Sequence, residues 1–317
     1  MKLKAHLLLP LSCCILTLPA GAISITIDYT YDTTNFFGAG NPDGAAAGAT
    51  AKSALEAAAQ FYTDKFTDDF LEIVPSGGNT WTPNFLHPGT GTTQTIPDLV
   101  VSADTVMIYA GGRSLAGSTL GTGGGGGWSG SGTPSWLTII GERGEGAPTT
   151  GGSATEYAPW GGSITFDNDT AGQWWYNHTS TAGLSGKNDF YSVALHELGH
   201  VMGFGTTDSW NAQHTGPSFG KSFTGVKATA ENGGVNPLLQ TDLDPPGHFK
   251  NGTMSTVFQD GTAQEAAMDP SITTGERKLL TELDMAAFAD IGWNVVPEPS
   301  SAILLTIGLI PLLRRRR

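Results

Sequence analysis

His196-Glu197-Leu198-Gly199-His200 places two imidazoles four residues apart, with a carboxylate directly after the first. On a helix, residues i and i+4 lie one above the other on the same face, so both rings can reach one metal ion. Glu197 sits beside that face, within reach of a water on the metal. Zinc suits this set because it accepts neutral imidazole nitrogen and keeps a position open for water. It lowers the pKa of that water to ~7 and polarises a peptide carbonyl. Glu197 would take the water's proton during attack and pass it to the leaving amine. The competing reading is a helix with two ordinary histidines. The flanks Val193, Ala194, Leu195, Leu198 and Val201 are apolar and bury the helix. A buried Glu beside paired His is costly unless something uses it.

The elements that must position this set read as an α+β chain: a twisted mixed sheet with long helices, then a loop-rich C-terminal part. Ile23 to Tyr31 alternates apolar and polar residues, which predicts a strand with one buried face. Ala45 to Phe70 carries Leu55, Ala58, Ala59, Tyr62 and Phe66 at helical spacing and predicts a long helix on the sheet. Leu71–Val74 and Leu99–Tyr109 read as further strands, the second rich in Val and Ile. The glycine-rich run 111–132 has no Lys at phosphate-loop spacing, so it reads as a surface loop. Gly162 to Asp167 predicts a short strand. Asp189 is placed to cap a helix from Phe190 to about Met202. Thr281 and Asp284 form a capping box, with Leu280 and Met285 as its apolar staple, for a helix running to about Asp290.

A catalytic zinc needs a third protein ligand. The tenth residue after His196 is Thr206, so no histidine follows at the short spacing. The remaining histidines are His6, His87, His178, His214 and His248, and Glu231 and Glu265 are carboxylate alternatives. From His200-Val201-Met202-Gly203-Phe204 onward the chain resembles the leishmanolysin-like metzincins. That family inserts a long loop before a third His in a Gly-His-aromatic context, and Gly247-His248-Phe249 matches it, 48 residues after His200. A methionine turn follows at Ala266-Ala267-Met268-Asp269-Pro270, then a helix leading to Ile291-Gly292-Trp293. The resemblance implies a metzincin-like fold, His248 as third zinc ligand, and Met268 as a packing residue beneath the metal. It implies a zinc endopeptidase acting on protein or peptide. Ser163–Asp167 resembles the strand that metzincins place at the edge of the cleft, where an extended peptide adds to the sheet. Trp174, Trp175 and Tyr176 either line that cleft or belong to the core. Asp269 either orients a ligand or serves a turn. A cysteine switch and disulfides, typical of leishmanolysins, are absent, because both cysteines (Cys13, Cys14) lie in the N-terminal segment. The alternative function is a non-catalytic surface or matrix protein on the same scaffold.

The two ends read as sorting signals. Lys2 and Lys4, the apolar run 7–18 and Ala20-Gly21-Ala22 form a signal peptide over residues 1–22. Val296-Pro297-Glu298-Pro299-Ser300, the apolar stretch 302–313 and Arg314 to Arg317 resemble a PEP-CTERM tail over 296–317. That resemblance implies transient membrane anchoring, an exosortase-type partner and delivery outside a Gram-negative cell. Between them lie an N-terminal catalytic part, 23–203, and a C-terminal part, 204–295, carrying the third ligand and the methionine turn. The whole chain carries a formal charge of −13. Loss of both ends removes two lysines, four arginines and one glutamate, which leaves −18. So acidic a body excludes nucleic acid as a partner. With 39% hydrophobic residues it has enough apolar mass for a core, which excludes wholesale disorder. Asp167-Asn168-Asp169 and Asp242-Leu243-Asp244 make calcium binding possible, but neither follows an EF-hand pattern, and solvated turns are the default reading.

Overall fold

The structure, a computed structural model, describes residues 23–216 and 220–296. The signal-like segment with both cysteines and the tail beyond residue 296 lie outside the described residues.

In chain order the elements are β1 (Ser24–Asp28), α1 (Ala45–Lys65), β2 (Thr80–Leu86), β3 (Thr93–Thr95), β4 (Thr105–Arg113), β5 (Gly121–Gly125), β6 (Gly127–Ser131), α2 (Pro134–Glu142) and β7 (Gly161–Asp167). They continue with β8 (Trp174–Trp175), β9 (Asn188–Asp189), α3 (Phe190–Val201), α4 (Asp208–Asn211), β10 (His214–Thr215), β11 (Ser222–Phe223), α5 (Val226–Glu231), β12 (Met254–Thr256), β13 (Ala263–Glu265) and α6 (Glu282–Asp290). The chain is α+β, and its main sheet is mixed. It runs β1-β4-β7-β5, with β1, β4 and β7 parallel and β5 antiparallel at one edge. A second sheet, β3-β2-β6, is antiparallel.

Strand β4 shows how the layers assemble. Val106, Ile108 and Ala110 point to the side covered by α1 and α3, and Met107 and Tyr109 point to the side of β2 and α2. The period of two divides its side chains between two cores. The larger core draws residues from Ile23 to Trp293, so both halves of the chain contribute to it. The smaller joins Trp81, Phe85, Tyr109, Trp136 and Trp160. Arg143 ties the smaller layer down: its buried guanidinium donates to the carbonyls of Leu71, Ser102, Thr105 and Pro159. No helix among the described residues is long and apolar enough to cross a membrane.

Several sequence expectations change. The glycine-rich run is not a surface loop; it contains the end of β4 and all of β5 and β6. Ser163–Asp167 is not an edge strand. It lies within β7, fully buried and paired on both sides, and the edge strand is β5. Residues 71–74 form no strand; Ile73 makes one isolated bridge to Val101. The next strand starts at Thr105, after a turn in which Asp104 takes a left-handed φ of 55. Helix α1 stops at Lys65 because Phe66 turns extended and pairs with Val295. Trp174 and Tyr176 are core residues. The capping box at Thr281 and Asp284 forms as read, and α6 ends at Asp290.

The glycines of β5 are a packing requirement. A Cβ on Gly123 would lie 2.1 Å from the Glu197 carbonyl oxygen, and one on Gly121 would lie 2.8 Å from Glu197 Cγ. Only a bare backbone lets α3 slide under the sheet edge. We expect Gly123→Ala to lower stability by about 1–3 kcal/mol, the usual cost of overpacking. An unchanged urea midpoint would contradict the close approach.

Candidate metal centre

Helix α3 is anchored at both ends. Asp189 caps its start by accepting from the Ser192 N–H and hydroxyl. Arg277, itself half-buried, clamps the same buried carboxylate through Nε and Nη2, each at 2.8 Å, in a bidentate pair. At the other end the carbonyls left without helical partners are met by side chains. Thr206 Oγ1 donates to His200 O, Tyr157 Oη to Val201 O and Trp293 Nε1 to Met202 O. In mid-helix Tyr62 donates to Leu195 O from α1. The two histidines therefore stand on a helix held at its start, its middle and its end.

The chain then turns back. Gly203 has φ +99, a left-handed conformation open to glycine at little cost. At Gly205 an added Cβ would lie 2.1 Å from the Gly247 carbonyl oxygen. This backbone contact delivers the next residue, His248, to the face of α3. Underneath, Met268 is fully buried against Gly199, where a Cβ would meet its sulfur at 2.6 Å. Its role is packing.

His196, His200 and His248 form the one group of three or more potential metal-ligating side chains that converges among the described residues. Their Nε2 atoms lie 3.1, 3.2 and 3.0 Å apart. These contacts are not hydrogen bonds, because each ring spends its proton on the other nitrogen. His196 Nδ1 faces Ala267 O at 2.7 Å and His200 Nδ1 faces Phe204 O at 2.8 Å. A carbonyl only accepts, so both Nδ1 atoms donate. His248 Nδ1 faces Gln240 Oε1 in the same way. Three lone pairs are left pointing at one another. Burial, and then repulsion by the neighbouring imidazole, lowers each ring to about 3, so all three are neutral. Four-coordinate metal–nitrogen bonds of about 2.0–2.1 Å set tetrahedral edges of about 3.3 Å. The triad is close to that size, and a metal ion fits it.

The turn that receives His196 is itself held. The buried Asp284 carboxylate accepts from Ala267 N, Met268 N, Thr281 N and Thr281 Oγ1. Burial raises it to about 6 while these donors pull it down, and it is ionised at neutral pH. Asp269 does not touch a ligand. It accepts from Lys278 Nζ at 2.8 Å and from the Ser271 and Gly252 N–H groups, which is the turn role.

Glu197 points into the same cleft, which has a volume of about 790 Å³ and is walled by residues 118–123 on one side and Pro270 to Ile272 on the other. Burial pushes its carboxyl up to about 8, and the Gly123 N–H opposes that. The alternative third ligands lie elsewhere. His214 packs edge-on against Trp210, Glu265 pairs with Lys278, and Glu231 ends α5, outside the triad. His87 accepts from Gly89 and Thr90 N–H, and His178 lies beside Tyr191. The acidic pairs considered for calcium are engaged by the protein itself: Asp167 by Leu115 and Gln173, Asp242 by Gln240, and Asp244 by Lys221. Sequence reasoning missed Gln240, Arg277 and Lys278. Each acts through a contact distant in sequence, or through a hairpin register that no local motif marks.

No protein-family model matches the chain, and no curated protein matches it. The site therefore rests on its own geometry. His248→Ala should weaken metal retention sharply, read by metal content after dialysis against a mild chelator. Unchanged content would move the third ligand elsewhere.

Proposed function

We propose that the chain is an exported zinc-dependent endopeptidase. The observation that carries this reading is the convergence of three imidazole lone pairs in a cleft that also holds Glu197. Among common divalent ions, a buried set of three neutral imidazoles suits zinc. When bound there, zinc would supply Lewis acidity toward a peptide carbonyl and toward water. With a cation on the three imidazoles to draw its carboxyl back down into the ionised form, Glu197 would be the general base, taking a proton from the attacking water and delivering it to the leaving amine.

The open edge of β5 supports a peptide as the substrate. Asp167 N donates to Leu120 O and Gly126 N to Gly161 O, which marks the even-numbered residues of this segment as those bonded to β7. In an antiparallel pair the alternate residues face away. Gly121, Gly123 and Gly125 thus turn their N–H and C=O groups to the free edge, where the Gly123 N–H bonds the Glu197 carboxyl and the remaining main-chain groups face outward. An extended chain laid there would be held by main-chain hydrogen bonds. His248 beside the two helix histidines and Met268 packed against Gly199 support the same reading. The signal-like start and the PEP-CTERM-like end support export through an exosortase-type partner, with transient anchoring by the tail.

Glu197→Gln keeps the size of the side chain and removes the base. We expect it to abolish cleavage of a peptide library while zinc stays bound, and a chelator to abolish wild-type cleavage. Retained cleavage in the variant would remove the base role from Glu197. Zinc retention by wild type with no chelator-sensitive cleavage would favour a non-catalytic surface protein on the same scaffold.

A further inference from the structure

Two of the three histidines give their Nδ1 proton to a backbone carbonyl, which has no alternative state. His248 differs. Its Nδ1 meets the side-chain amide of Gln240, and an amide can present either an acceptor oxygen or a donor nitrogen. If the nitrogen faced the ring, Nδ1 would have to accept, the ring proton would move to Nε2, and no lone pair would be left for a metal. Something must choose the amide's orientation.

Asp242 makes that choice. Gln240 Nε2 donates to Asp242 Oδ1 at 2.6 Å, and an ionised carboxylate can only accept. The amide nitrogen is therefore fixed on Asp242 and the oxygen on His248. The backbone holds the register: Gln240 N donates to His248 O at 3.1 Å, and Leu239 pairs with Phe249. Gln240 is 6% exposed, so water cannot readily replace it.

We propose that Gln240 and Asp242 are positioning residues that set the tautomer of His248, Asp242 orienting the amide and Gln240 taking the Nδ1 proton. The metal-binding half of this statement rests on the zinc reading of the triad. The tautomer half stands without it.

The test uses purified metal-free protein titrated with Zn2+ against a chromogenic chelator, for wild type, Gln240→Leu, Gln240→Glu and Asp242→Ala. Loss of such an outer hydrogen bond typically weakens metal affinity by about 10–100-fold, and that is the expected loss for Gln240→Leu. Gln240→Glu keeps an acceptor on Nδ1 and should stay within a few-fold of wild type or bind more tightly. Asp242→Ala frees the amide to flip and should fall between them. Long-range 15N–1H correlation spectra of the metal-free proteins at neutral pH should show His248 as the Nδ1–H tautomer in wild type and as a mixture in Asp242→Ala. Melting temperatures of the metal-free variants show whether Gln240→Leu has unfolded. If it has, the comparison of Gln240→Glu with wild type and the Asp242→Ala spectrum decide. Wild-type affinity in Gln240→Leu, equal weakening in the Leu and Glu variants, or an unchanged tautomer in Asp242→Ala would overturn the proposal. If wild type binds no Zn2+ while the spectra behave as stated, the zinc reading fails and the tautomer control stands.

Discussion

Three imidazole nitrogens with no proton between them repel one another, and the rest of the structure is arranged so that they meet all the same. Two carbonyls and one amide oxygen take the three Nδ1 protons. Burial of the rings keeps them neutral. A concentration of lone pairs at one point is unfavourable until a cation sits among them. The fold has to supply the stability that the site itself does not, and the anchoring of α3 shows where it comes from. The Asp189–Arg277 clamp fixes the start of the helix, three side chains satisfy its final carbonyls, and Asp284 holds the turn that receives His196.

Close backbone contact is the second constraint, and it accounts for part of the glycine content. Gly123 admits α3 beneath the sheet edge, Gly199 admits Met268 under the helix, and Gly205 lets the loop carrying His248 return. The same absence of side chains leaves the β5 edge open beside Glu197. On the proposed reading, one set of residues serves both packing and substrate access, because a strand without side chains is thin enough for the helix and bare enough for a peptide.

What was legible in the sequence was local. His196, Glu197 and His200 share a helical turn, so their spacing alone brings them together. Asp189 and the Thr281–Asp284 box act within three residues of themselves, and both form as read. His248 came from a resemblance that implied it rather than from reach or spacing, and the structure places it with the other two. The edge strand was misassigned because glycine is depleted in strands, so a glycine run reads as a loop until the helix beneath it is known. Gln240 left no signal. Its role depends on a hairpin register that pairs it with His248 across eight residues, and a glutamine in a polar loop is unremarkable. Arg277 was hidden for a related reason, since the buried carboxylate Asp189 lies 88 positions before it, and Lys278 because its partners Glu265 and Asp269 lie 13 and 9 positions before it, at no regular spacing.

On the proposed function, the triad holds one zinc ion through three imidazoles. X-ray absorption at the metal edge, on protein purified without added metal and dialysed, tests it directly. The expected result is one zinc per chain, with three imidazole nitrogens at about 2.0–2.1 Å and a light-atom ligand completing the shell. A chain that retains no metal, or a metal bound by fewer than three imidazoles, would contradict it.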